Sequence, residues 1–222
     1  MERNIVSIVN YIIRIRIKLF KISEEDDVTK VKVVFVGEAF TGKTAIIQRV
    51  IYDTYEDNMV TTMVASNYSK VIDFEGNHSI RFEIWDTAGQ EKYRSINKIF
   101  YKDAAIVIMV YDISNRRTFE EIKNYWINQV KSMCNKNPII GLAGNKSDLY
   151  AKEEVKEAEA KAFAKEVGAI FQLTSCVRNS GINELIKALG EKVLENEGLS
   201  QKQSEIELKK QTSIKKDKKC CK

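Results

Sequence analysis

Short, almost continuous apolar runs alternate along this chain with longer segments whose apolar positions recur every three or four residues. The runs near 31–36, 65–73, 79–85, 105–111, 138–144 and 169–174 predict strands, and the periodic segments near 43–52, 92–100, 115–134, 152–167 and 181–196 predict helices. A run such as Ala104-Ala105-Ile106-Val107-Ile108-Met109-Val110 has no polar face, which suits a parallel strand covered on both sides. Strand and helix in alternation imply an α/β fold with a doubly wound, six-stranded, mostly parallel sheet and helices on both faces. The turn Glu75-Gly76-Asn77-His78 between the second and third runs adds one antiparallel hairpin at an edge. At 222 residues the chain supports one domain with tails, and a core of that size needs no disulfides. The expected division is an N-terminal extension over 1–29, a folded domain over 30–196 and a basic tail over 197–222.

The junction between the first strand and first helix carries chemistry. Val31–Val36 leads into Gly37-Glu38-Ala39-Phe40-Thr41-Gly42-Lys43-Thr44 and then a helical pattern from Ala45. The spacing G-x-x-x-x-G-K-T between strand and helix is that of a P-loop NTPase. Backbone N–H groups wrap a triphosphate only where the chain comes very close, and glycine permits this. The helix dipole adds positive potential at the same place. Gly37, Ala39, Phe40, Thr41, Gly42, Lys43, Thr44 and Ala45 are therefore the expected nucleotide-binding set. Lys43 is expected to reach the outer phosphates and the Thr44 hydroxyl to ligate Mg²⁺.

Later strand ends extend the site. Asp86, in Ile84-Trp85-Asp86-Thr87-Ala88-Gly89-Gln90, is expected opposite Thr44 across Mg²⁺, because ligands gather at the carboxyl ends of parallel strands. Gly89 would offer a bare N–H to the γ-phosphate, and Gln90 would orient an attacking water. Taken alone, the same segment serves equally as a strand-ending turn. Asn145-Lys146-Ser147-Asp148 after the fifth run decides the base. The Asp148 carboxylate would accept from both the ring N–H and the exocyclic amine of guanine, whereas adenine would present it with a lone pair. Asn145 would tie the loop together and Lys146 would cover the base with its stem. Ser175, Cys176 and Val177, after the last run, would offer backbone donors to the guanine carbonyl. An ATP-using P-loop kinase is disfavoured by Asp148.

From about Lys30 to Glu195 the chain resembles the Ras superfamily of small GTPases, and within it the Rab family. The resemblance rests on Ile84–Glu91, Lys92-Tyr93-Arg94-Ser95-Ile96, Val110-Tyr111-Asp112-Ile113-Ser114 and the two lysine-flanked cysteines of the tail. It implies a slow GTPase that cycles between GDP and GTP and recruits effectors during vesicle trafficking. By similarity, the first switch runs through Glu56–Ser66, with Thr62 capping Mg²⁺ and the γ-phosphate and Thr61 as its competitor. Tyr55 would lie against the guanine ring, and the second switch would run from Gly89 to about Tyr101. The implied partners are an exchange factor, a GTPase-activating protein supplying transition-state charge, and effectors, all acting through 56–66 and 89–101. The resemblance also implies prenylation machinery, a GDP-dissociation inhibitor, and geranylgeranylation of Cys220 and Cys221. Two lipid chains anchor stably where one is marginal, which places the protein in the cytosol and on the cytosolic face of an intracellular membrane.

Three departures from that pattern stand out. Phe40 replaces a smaller residue in the phosphate loop and either crowds the switches or points outward, the second being favoured. Met63-Val64-Ala65-Ser66-Asn67 alters the first switch, and Cys176-Val177 removes a lysine that would cover the base. The first two motivate an alternative, a nucleotide-locked, membrane-anchored binding module with little turnover.

Charge concentrates at the ends. Lys209–Lys222 holds seven lysines against Asp217, and residues 1–22 hold five basic residues against Glu2, in a chain of net charge +5. The positive charge is thus not spread over a folded face bearing stacking aromatics, which argues against nucleic acid. It suits an anionic membrane surface, at about 1 kcal/mol per lysine. In the first segment, Ile5, Ile8, Ile12, Ile15, Leu19 and Ile22 fall at helical spacing, while Ile13–Leu19 also alternates as a strand would. A membrane-lying amphipathic helix, a strand and a segment outside the working protein all remain open; a membrane span and a signal peptide are not expected. Cys134 and Cys176 are expected as packed thiols in a reducing compartment, and His78 as solvated surface.

Overall fold

The computed structural model describes residues 28–56, 66–76, 78–86, 100–134 and 137–198. Its elements are β1 (Thr29–Val36), α1 (Lys43–Tyr52), β2 (Ser66–Phe74), β3 (His78–Asp86), β4 (Ile106–Asp112), α2 (Arg116–Glu121), a π turn (Ile122–Trp126), α3 (Ile127–Met133), β5 (Ile139–Asn145), a 3₁₀ turn (Ser147–Lys152), α4 (Glu157–Val167) and β6 (Ile170–Leu173). A final helix, α5, covers 182–198.

The strands form one sheet in the order β2-β3-β1-β4-β5-β6. β2 runs antiparallel to β3, from Ser66 opposite Asp86 to Phe74 opposite His78. The other neighbours are parallel. The expected fold class therefore stands, edge hairpin included, and His78 is exposed at the start of β3.

The sequence pattern explains the layering. In β1, Val31, Val33 and Phe35 join one buried cluster with Ile46, Ile47 and Val50 of α1 and Ile182, Leu185, Ile186, Leu189 and Val193 of α5. Val34 and Val36 point the other way, toward Phe119, Ile122, Trp126, Ile127 and Val130 and toward Ala160, Phe163 and Ala164 of α4. Side chains alternate across a strand, so a run without polar positions needs a helical layer on each side. β4 has such layers and is buried at every position. β3 alternates instead, burying Ile80, Phe82 and Ile84.

Two helix expectations are corrected. The helix expected near 115–134 is interrupted by the π turn, where the Ile127 N–H donates to the Ile122 carbonyl five residues back and Ile122, Trp126 and Ile127 are all buried in one cluster. The helix expected near 152–167 begins at Glu157. Glu154 and Val155 donate their backbone N–H groups to the Ile113 carbonyl at 2.9 and 3.1 Å, which keeps the chain extended until Val155 is buried. Of the helix expected near 92–100, residues 92–99 lie outside the described residues.

Tyr111, next to last in β4, has its ring 4.9 Å from Phe119 and its hydroxyl buried without a hydrogen-bond partner among the described residues. Burial and nearby carboxylates push its ionisation well above the usual tyrosine range. Tyr111→Phe removes an unpaid desolvation and is expected to stabilise the protein by about 1–2 kcal/mol. Urea unfolding of the two proteins checks this; destabilisation would show that the hydroxyl makes a contact worth keeping.

Candidate nucleotide and cation site

The parallel strands deliver their carboxyl ends to one edge of the sheet. β1 sits where the winding reverses, between β3 on one side and β4 on the other, the place where doubly wound sheets hold ligands. The loop from Gly37 to Gly42 crosses this point. A Cβ on Gly37 would lie 2.2 Å from the Val110 carbonyl oxygen, at φ +139°, and a Cβ on Gly42 would lie 2.2 Å from the Asn145 amide nitrogen, at φ +93°. Glycine at these two positions is what lets the loop seat against β4 and against the loop after β5.

Lys43 opens α1 and turns back beneath the loop, donating to the Gly37 carbonyl at 3.0 Å and the Glu38 carbonyl at 2.8 Å. Burial lowers its pKa to about 8, with Asp86 and Glu38 pulling only partly the other way. A buried ammonium held by neutral carbonyls is suited to receive an anion. Thr41 is fully buried and donates to the Glu38 carbonyl at 3.0 Å. Ala39 is half-buried and Ala45 is buried. Phe40 adopts φ +63° and is 74% exposed, so the outward reading holds.

Thr44 donates its hydroxyl to Asp86 Oδ2 at 2.8 Å, joining the start of α1 to the end of β3. Two hard oxygen groups at this separation fit Mg²⁺, which commonly takes one or two protein oxygens and completes its shell with water and phosphate. Thr61, Thr62, Gly89 and Gln90 lie outside the described residues, as do Cys220 and Cys221.

The base side is a linked set of loops. Asn145 donates to the Thr41 carbonyl at 2.9 Å and accepts from the Thr174 hydroxyl at 3.1 Å, so it ties the phosphate loop to the last strand end. The Ser175 hydroxyl donates to Asp148 Oδ1, and Ser147 N–H donates to the Thr174 carbonyl at 3.0 Å. Lys146 forms a 2.6 Å ion pair with Asp112 at the end of β4. Cys176 is buried, its thiol pushed up to about 11 by that burial. Cys134 is half-buried, and Val177 is 53% exposed. Tyr55 packs at the edge of the core beneath the Arg49 guanidinium, 5.8 Å from its ring.

Three contributors were not singled out from the sequence. Asp112 sits at a strand end, so its position offered a signal. Glu38 receives a 3.1 Å hydrogen bond from the Trp126 indole N–H, and Arg49 spans two loops; neither contact has a sequence signature.

A doubly wound sheet with a lysine-bearing phosphate loop at its winding reversal defines a P-loop nucleotide-binding protein. The sequence model of the Ras family matches residues 32–195. The chain is similar to Ras-related protein RabJ of Dictyostelium discoideum, 34% identical over 183 residues, covering 81% of this chain and 71% of that one. It is also similar to Ras-related protein Rab-22A of Homo sapiens, 35% identical over 164 residues (74% and 84% of the two chains). Ras-related protein Rab5A of Oryza sativa subsp. japonica is 33% identical over 166 residues (75% and 81%). The chain belongs to the Ras family, with Rab proteins among its relatives. It is a small GTPase that binds guanine nucleotide and hydrolyses GTP to GDP.

Proposed function

We propose that this GTPase is a GDP/GTP switch of Rab type that recruits effectors to an intracellular membrane during vesicle trafficking. The observation that carries the reading is the joining of Lys43, the Thr44–Asp86 pair and the Asn145–Asp148 loop at one edge of the sheet. In this reading, backbone N–H groups of Gly37–Ala45 bind the phosphates and Lys43 neutralises their outer charge. Asp148 reads guanine, Lys146 and Tyr55 flank the base, and backbone donors of Ser175, Cys176 and Val177 meet its carbonyl. Thr44, Asp86 and Thr62 hold Mg²⁺, which when bound offsets charge on the β- and γ-phosphates. Gln90 orients the attacking water and Gly89 contacts the γ-phosphate.

Contacts to the γ-phosphate hold both switches, and its loss releases them. Exchange factor, activating protein and effectors then read 56–66 and 89–101. Residues 30–196 form the GTPase domain and 197–222 the tail, with Cys220 and Cys221 lipidated and handled by prenylation machinery and a GDP-dissociation inhibitor. Among the described residues no helix is long and apolar enough to cross a membrane. The locked-module alternative leaned partly on Phe40, and its exposed ring withdraws that support.

Single-turnover GTP hydrolysis by wild type beside Gln90→Leu tests the switch. Slow turnover in wild type that collapses in the variant is expected; tight binding without turnover in either protein would overturn it.

A further inference from the structure

We propose that Arg49 is a positioning residue for guanine readout, clamping the loop after β6 to the chain that leaves α1. The inference rests on the base-pocket reading above. Arg49 lies on the last turn of α1, with its side chain 16% exposed. Its Nε donates to the Cys176 carbonyl at 2.7 Å, across 127 positions of sequence, and its Nη1 donates to the Asp53 carbonyl at 2.9 Å. The guanidinium also lies over the Tyr55 ring. One planar, forked cation thus holds both the peptide expected to meet the guanine carbonyl and the aromatic ring expected to lie on the base.

A second contact closes the same clamp. Asn179 Nδ2 donates to Asp53 Oδ1 at 2.7 Å. Both residues adopt left-handed backbone, φ +49° for Asn179 and φ +56° for Asp53. Asn and Asp tolerate this region better than most residues, and here two such turns face each other across the loops.

The chemistry gives a selective readout. Arg49 orients the 175–177 peptides, which face the base's 6-carbonyl, whereas Asp148 reads the ring N–H and the 2-amine. Loosening the clamp should therefore erode discrimination against a base whose 6-oxygen is replaced by sulfur and spare discrimination against one without the 2-amine. The experiment measures release and affinity of GDP, inosine diphosphate and 6-thioguanosine diphosphate, which keeps the ring N–H and 2-amine and replaces only the 6-oxygen by a weak sulfur acceptor. It uses the full chain and Arg49→Ala, Arg49→Lys and Asn179→Gly, with Asp148→Asn in parallel. Asn179→Gly keeps the left-handed turn and removes only the side chain, so it tests the clamp without disturbing packing.

Arg49→Ala is expected to speed GDP release by about 10- to 100-fold, in line with losing charged hydrogen bonds. It should also shrink the preference for GDP over the 6-thioguanosine nucleotide while the preference over inosine diphosphate holds. Arg49→Lys should recover part of the loss, and Asn179→Gly should speed release by a few-fold. Equal weakening of all three nucleotides together with a lower melting temperature, or unchanged release in both Arg49→Ala and Asn179→Gly, would overturn the proposal. If Asp148→Asn also leaves the guanine-to-inosine preference intact, the base-pocket reading itself fails. If Asp148→Asn collapses that preference while the Arg49 variants behave as wild type, the clamp alone fails.

Discussion

Lys43→Met is expected to weaken GTP and GDP binding by about 10²- to 10⁴-fold, the loss of one or two charge-assisted hydrogen bonds to phosphate. The nucleotide-free protein should not suffer. Lys43 is 5% exposed, and replacing a buried ammonium by an apolar chain of similar length removes a desolvation cost. Its melting temperature without nucleotide should therefore hold or rise, while the rise normally given by added GDP largely vanishes. A variant that melts lower without nucleotide would show that Lys43 serves the loop's fold through the Gly37 and Glu38 carbonyls.

The same residue sets a pH dependence. Its pKa is about 8 in the folded protein against an ordinary 10.5. A lysine with a lowered folded pKa disfavours folding while it stays charged, so that penalty is full below about pH 8 and fades as pH rises toward 10.5. Nucleotide binding has the opposite sense, because phosphate needs the ammonium form. Affinity should fall as pH climbs through about 8, with proton uptake on binding above that point. Calorimetry in buffers of different ionisation enthalpy reads the uptake directly, and Lys43→Met should abolish it.

Asp148→Asn is expected to weaken GTP by about a thousand-fold and to let xanthine nucleotides compete. The carboxylate accepts from two guanine donors in the proposed pose; the amide would present its own N–H₂ to one of them. Xanthine carries an oxygen in place of the 2-amine, so the amide regains a partner there. Ser175 Oγ, which donates to Asp148 Oδ1, still finds an acceptor in asparagine, and the loop should keep its shape. Competition of GTP and xanthosine triphosphate for a fluorescent nucleotide measures the switch in preference. Unchanged GTP affinity would remove Asp148 from base readout.

Much of the architecture was legible in the chain because its signals are local. α1 begins at Lys43 and ends at Tyr52 as the pattern indicated, since loop, helix periodicity and strand lie contiguous. β3 ends on Asp86 because the alternation of apolar and polar positions runs to that residue. Helix boundaries failed where a distant group intervened. The Ile113 carbonyl holds Glu154 and Val155, and the helix over 116–133 is broken by a π turn at Ile122–Trp126. Periodicity carries no information about either.

The sequence by itself determined the phosphate-loop spacing, the placement of an Asn-Lys-Ser-Asp segment after a strand, the doubly wound class and the basic tail. Each depends on residue type at short spacing, and short-range patterns survive folding unchanged. Only the tertiary structure decided that Phe40 points to solvent, that Asp112 holds Lys146, that Trp126 reaches Glu38 and that Arg49 bridges to Cys176. These contacts span from 34 to 127 positions. Their partners meet because the parallel sheet brings its strand ends to one edge, and that meeting is a property of the sheet's winding.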